Sequence, residues 1–195
     1  MTKQPTVKPD AKTADIAPNT ALDTQGAAGV GPIVSSAHLV SERASELSEF
    51  EFGLIIANNA FHRWMVRCMA ATGIPDLSPL DILVLHTVNH RARAKKLADI
   101  CLVLNVEDTH TVNYALKKLA KLGLVESDRK RKENLFSITD AGQDACQKYR
   151  EIREQCLIRS FNFLGQSENQ ISDLAGLLRA LSGIYDQAAR AATSL

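Results

Sequence analysis

The stretch EDTHTVNYALKKLAKLGLV, Glu107 to Val125, holds the residues whose types and spacing could do chemistry. His110, Asn113, Tyr114, Lys117 and Lys121 recur at intervals of three and four, so a helix would gather them on one face. Imidazole and amide groups both donate and accept hydrogen bonds, and an asparagine amide matches the two-point pattern on the edge of adenine. Thr109 and Thr111 add short hydroxyls suited to a phosphate oxygen or a thymine methyl. Lys117 and Lys121 bring charge that holds a phosphate backbone but carries little sequence information. Arg129, Lys130, Arg131 and Lys132 follow in DRKRKEN and would reach an adjacent phosphate or a minor groove. Taken singly, a lysine-bearing helix face is usually only solvated and a charged hairpin only soluble. Their order along the chain is what points to nucleic acid.

Charge distribution agrees. The 195-residue chain is nearly neutral, with a formal charge of +1. Arg91 to Lys132, however, holds eleven Lys and Arg against five Asp and Glu, leaving an acidic remainder. One basic face on an acidic body is the footprint expected for a polyanion partner. Catalysis finds no support: there is no G-x-S-x-G, no phosphate-cradling glycine loop and no nucleotide motif. His86 and His90 stand i, i+4 and could share a helix face as metal ligands, but no H-E-x-x-H pattern or nearby cysteine completes a site. No enzyme, cofactor or metal is expected. Cys68, Cys101, Cys146 and Cys156 form no C-x-x-C pair, and each falls at an apolar helical position. They are expected to be reduced core residues, with thiol-redox sensing as the functional alternative. No apolar run approaches the roughly 18 residues of a membrane span and no signal peptide opens the chain, so a cytoplasmic protein is expected.

The elements that must position these residues can be read in order. Residues 1–40 hold four of the six prolines with Thr, Ala, Asp and Gly, which predicts a disordered tail. A single domain is expected over 41–195. Within 45–73, Leu47, Leu54, Phe61 and Cys68 are spaced by seven, with Phe50, Ala57, Trp64 and Ala71 as a second set. Such a seam on one long helix asks for a partner helix. Gly73 and Pro75 should end it. Ser78, Pro79 and Asp81 then open a second helix, running to about His90. After RARAKK, a short helix carries Leu97, Ile100, Cys101 and Leu104. The helix bearing His110 starts at an N-cap, Asp108 or Asn105, buries Val112, Leu116 and Leu119, and stops at Gly123. The pattern LVES–DRKRKEN–LFSIT reads as two strands joined by a charged hairpin. Thr139 caps a fifth helix with Ala145, Tyr149, Ile152 and Cys156. A capping box of Ser167 and Gln170 opens a sixth, striped with Ile171, Leu174, Leu178, Leu181, Tyr185 and Ala188.

The expected fold is mostly α with a small β-hairpin wing, a winged helix-turn-helix over 77–142 flanked by dimerisation helices at 45–73 and 143–192. The stretch LADICLVLNVEDTHTVNYALKKLAKLGLV, with the basic hairpin and ITDAG after it, resembles the winged-helix region of the multiple-antibiotic-resistance regulator (MarR) family. The matching residues are Leu97-Ala98, Thr111-Val112, Leu119 with Gly123-Leu124-Val125, and Thr139 with Gly142. Two departures stand out. The hairpin is shorter than is usual in that family, and the connection before the His110 helix is one residue longer.

The resemblance implies a homodimer built from the first, fifth and sixth helices, binding a pseudo-palindromic operator in double-stranded DNA and often released by a small effector. Asn58, His62, Arg63 and Arg67, on or beside the first helix, are the candidate effector ligands, an arginine there being able to hold an aromatic acid. Independently of the family, terminal helices with apolar stripes that a small core cannot cover ask to be paired across a two-fold axis. The rival reading is a winged helix used for protein interaction without DNA binding. That use predicts exposed aliphatic residues at 110, 113, 114 and 117, where the chain has His, Asn, Tyr and Lys.

Overall fold

A computed structural model describes residues 33–35, 37–41, 43–128, 134–161 and 168–195. The chain divides into two compact units at the Phe52–Gly53 step, inside the long helix α1 (Ser45–Ala71). In the first unit, a 3-10 turn at Ala37–Leu39 meets the start of α1, where buried Ser48 donates its hydroxyl to the Leu39 carbonyl at 2.8 Å. Order therefore reaches into the last residues of the expected tail; 1–32 lie outside the described residues.

The second unit is built around α2 (Pro79–Asn89). Its opening follows the local chemistry of the chain. Ser78 Oγ accepts from the Asp81 N–H at 3.2 Å, and the Asp81 carboxylate accepts from the Ser78 N–H at 2.8 Å, with proline in the first turn. Ile82, Val84, Leu85 and Val88 then bury a continuous face. Strand β1 (Lys95–Lys96) leads into α3 (Leu97–Leu104), which buries Ile100 and Cys101. Asn105, at φ 52, ends α3 in the left-handed region, and Asp108 caps α4 (Thr109–Lys121). The choice between the two caps thus falls to Asp108. Gly123, at φ 71, turns the chain after α4 into β2 (Val125–Asp128) and β3 (Leu135–Ile138).

The hairpin is part of a three-stranded antiparallel sheet in the order β1-β3-β2. Lys95 pairs with Phe136 and Val125 with Ile138. The two-residue strand β1 was not expected from RARAKK, because two residues carry no period that distinguishes strand from loop. Thr139 caps α5 (Asp140–Arg153), its Oγ1 accepting from the Gly142 N–H at 3.1 Å.

A π-helical turn at Glu154–Ile158 follows, then a short α6 (Arg159–Phe161) and α7 (Glu168–Ala192). Ser167, the expected cap of the last helix, lies outside the described residues. Cys156 corrects one expectation: it sits in the π turn and is exposed, whereas Cys68, Cys101 and Cys146 are buried. The extra residue of a π turn rotates the helix face, so a heptad count carried through it lands on the wrong side. Among the described residues no helix is long and apolar enough to cross a membrane.

Candidate nucleic-acid interface

The position of α4 is set by its buried side. Val112, Ala115, Leu116 and Leu119 are each at most 1% exposed, locked against α2 and α3. At 3.6 residues per turn this places His110, Asn113, Tyr114, Lys117 and Lys121 within an arc of about 100° on the opposite side. The structure brings all five together there. His110, Tyr114, Lys117 and Lys121 are exposed, and Asn113 is half-buried at the edge of the arc. Tyr114 is 72% exposed, so its ring stands clear of the body.

The first turn is organised by Asp108. Its Oδ1 accepts from the His110 N–H at 2.9 Å, and its carbonyl accepts from Thr111 Oγ1 at 2.7 Å. The Thr111 hydrogen is therefore spent inside the helix, leaving that hydroxyl an acceptor and its methyl free for an apolar contact. Thr109 is exposed at the first helical position.

Lys118, which the sequence reading passed over, holds the helix in place. Its ammonium meets Asp81 Oδ2 at 2.8 Å and also donates to the Asp76 carbonyl. Asp81 thus serves twice, as the capping residue of α2 and as the buried anchor for α4, with its side chain only 4% exposed. Nothing in the spacing singles out Lys118 from Lys117 or Lys121. Only the packing angle of α4 on α2 does so. On the wing, β2 and β3 are described up to Asp128 and from Leu135, while Arg129, Lys130, Arg131 and Lys132 lie outside the described residues.

A cavity of about 910 Å³ opens between α1, α2 and α5. Phe61, Trp64, His86 and Tyr149 supply its aromatic walls, with Arg150 and Arg153 on the α5 side. The His86 ring meets Tyr149 edge-on, with centroids 4.7 Å apart. Its Nε2 is buried and has no hydrogen-bond partner among the described residues. Burial lowers the His86 pKa, which keeps the imidazole neutral. Burial likewise pushes the Tyr149 phenol up to about 12, helped by the neighbouring Cys68. Asn58, His62, Arg63 and Arg67 do not line this cavity; all but half-buried His62 are exposed along α1. The cavity residues were missed because its wall needs α5 folded back on α1 and α2.

The thiols inside are poor sensors. Burial pushes Cys146 up to about 11, and burial together with Cys156 does the same to Cys68. Protonated, enclosed thiols are inert. The histidine pair carries no metal signal, since His86 is turned into the cavity and His90 ends α2, and no cluster of three potential ligands occurs among the described residues.

Residues 77–142 match the sequence profile of a winged helix DNA-binding domain. The segment is thus a winged helix of the DNA-binding class, with α4 in the recognition position. Over about seven tenths of its length the chain has the fold of solved MarR regulators. Its structure is similar to that of an E. coli MarR mutant complexed with operator DNA, at 19% identity and a TM-score of 0.58, over 72% of this chain and 99% of that one. It is also similar to the transcriptional repressor CouR bound to a 23-mer DNA duplex, at 18% identity and a TM-score of 0.58, over 71% and 96%. CouR from Rhodococcus jostii RHA1 bound to p-coumaroyl-CoA aligns at 14% identity with a TM-score of 0.54, over 68% and 90%. A search of the curated proteins finds no match to the sequence.

Proposed function

We propose that the chain is a MarR-type transcriptional regulator, a repressor that binds a pseudo-palindromic operator as a homodimer in the cytoplasm. The observation that carries this reading is the exposed arc of α4, where His110, Asn113, Tyr114, Lys117 and Lys121 stand opposite a fully buried stripe. Seated in a major groove, the N-terminal half of α4 addresses base edges through His110 and Asn113, and Lys117 and Lys121 hold phosphates. Arg129, Lys130, Arg131 and Lys132 extend the contact from the wing.

Release by a small effector belongs to the same reading. The aromatic cavity between α1, α2 and α5 joins the helices flanking the winged helix to α2, the first helix within it. A ligand that fills it in one arrangement of the heads only would shift their spacing away from one turn of DNA. CouR, with its bound p-coumaroyl-CoA, is the precedent among similar folds. Asn58, His62, Arg63 and Arg67 are second-choice ligands, since they lie off this cavity.

The test is selection from random duplex DNA by the purified full-length protein, followed by a salt titration on the winning sequence. A palindromic winner with half-sites about 10 base pairs apart and a steep salt slope is expected. Absence of any enriched sequence would leave the interaction-module reading. On the winner, Asn113→Ala should cost about 1–3 kcal/mol and relax one base position. Equal losses on all sequences would remove Asn113 from base reading.

A further inference from the structure

Between α2 and β1 the chain crowds cations that the recognition helix does not use. His90, Arg91 and Arg93 lie within four residues, and Lys95 and Lys96 follow at once. A cavity of about 510 Å³ opens among them, closed on its apolar side by Val103 of α3 and Leu135 of β3. Lys95 is buried and is spent internally. Its ammonium donates to the carbonyls of Val88, His90 and Arg93, drawing the loop into a ring around a fixed positive charge. Arg91 stands in the left-handed region at φ 61, a conformation non-glycine residues avoid, and the Lys95 ring helps hold it there.

Arg91 and Arg93 are both exposed, and neither has an ion-pair partner among the described residues. Among the described residues lining the cavity the carboxylate is Asp99, which accepts from the Lys96 N–H at the start of α3. Burial lowers the Lys95 pKa, and the Arg93 and Arg91 cations lower it further, so the like charges are close enough to feel one another. A frame that holds the exposed Arg91 and Arg93 at one cavity suits an anion.

We propose that this loop is a second anion site, separate from the α4 face, which takes a phosphate group between the Arg91 and Arg93 guanidiniums. Two planar forks with five donors each match the several oxygens and double charge of a phosphate better than a lone carboxylate. The phosphate comes from a DNA backbone passing the open edge of the wing sheet or from a free phosphorylated metabolite. The chemistry of capture is the same. The site does not depend on operator recognition, because a phosphate carries no sequence.

The experiment titrates inorganic pyrophosphate into the full-length protein by calorimetry. In parallel it measures the salt dependence of binding to a duplex of arbitrary sequence. Arg91→Gln/Arg93→Gln is compared with wild type and with Arg91→Lys/Arg93→Lys. Both side chains are exposed and the Lys95 ring uses only the Arg93 carbonyl and neither side chain, so thermal unfolding should be unchanged. The glutamine pair is expected to weaken pyrophosphate at least tenfold, and the lysine pair, which keeps charge but loses the forks, several-fold. A drop of about 1 in the salt slope per lost phosphate contact identifies DNA as the source. An unchanged slope with pyrophosphate binding lost identifies a free anion. Glutamine variants within twofold of wild type in both readouts overturn the proposal. So does a lysine pair indistinguishable from wild type, since that is the behaviour of diffuse charge.

Discussion

Lys118 and His86 show how single side chains in this protein act through what they are buried against. Lys118 is partly exposed, yet its partner Asp81 is buried and also closes the capping box of α2. Lys118→Ala leaves that carboxylate with the Ser78 N–H but no cation. It should destabilise the fold by about 1–3 kcal/mol in urea unfolding. It should also weaken operator binding more than its distance from the groove suggests, because α4 loses its tether to α2. Wild-type stability would mean that water replaces the ammonium at no cost.

His86 makes a pH-dependent contribution whose sign follows from its burial. Its folded pKa lies below the ordinary 6.5, so above 6.5 both folded and unfolded states carry neutral imidazole. As the pH falls below 6.5 the unfolded chain takes up a proton that the folded chain resists, and stability is lost, by up to about 1.4 kcal/mol per pH unit. His86→Phe keeps the edge contact with Tyr149 and should flatten this part of the profile between pH 7.5 and 5. An identical pH profile in the two proteins would place the titration elsewhere.

Among the elements, α4, the wing and α5 meet at a close joint around Thr139 and Gly142. Thr139 donates its hydroxyl to the Gly123 carbonyl at 2.7 Å, and its N–H donates to the Leu124 carbonyl at 3.2 Å. The same hydroxyl accepts from Gly142. A Cβ at Gly142 would strike the Leu124 carbonyl oxygen and the Ile138 side chain. Gly142→Ala should therefore cost about 1–3 kcal/mol through a forced backbone shift, seen as a lowered unfolding midpoint. Tolerance without a midpoint change would mean that α5 can slide on the wing.

This joint was legible in part. Thr139 and Gly142 stand out as a cap and a turn residue, and Ser78-Pro79-Asp81, the α4 stripe and Gly123 declare their helix ends through local chemistry. Lys95-Lys96 did not announce a strand, since β1 exists only because β3 offers it an edge. Lys118, the His86 cavity and the exposure of Cys156 were equally hidden, because each depends on a packing angle or a helical phase set by distant residues.

At the scale of the molecule, the terminal helices present apolar surface that the other described residues do not cover. In α1, Leu54, Ile55, Ile56 and Phe61 are 38–53% exposed. In α7, Leu174, Leu177, Leu178 and Ile184 are 37–62% exposed. In α7, Leu177 and Leu178 stand three and four residues from Leu174 and Ile184 stands seven from Leu177, and in α1 Phe61 stands seven from Leu54, spacings that keep each set on one helix face and suit helix packing. Burying such side chains contributes roughly 25 cal/mol per Å² of apolar area removed from water, so pairing these faces favours association by an amount on the order of several kcal/mol before its entropic cost. A two-fold pairing through α1 and α7 would carry two copies of α4, and half-site spacing would follow from that geometry. Leu174→Arg/Leu178→Arg places two cations in the α7 stripe without touching the winged-helix core. Sedimentation should show a dimer for wild type and a monomer for the variant at micromolar concentration. Operator affinity should fall by at least a hundredfold, because each head then binds its half-site alone, while non-specific DNA binding per head is retained. A variant that stays dimeric would move the interface off α7, and a monomer with full operator affinity would mean that one head suffices for recognition.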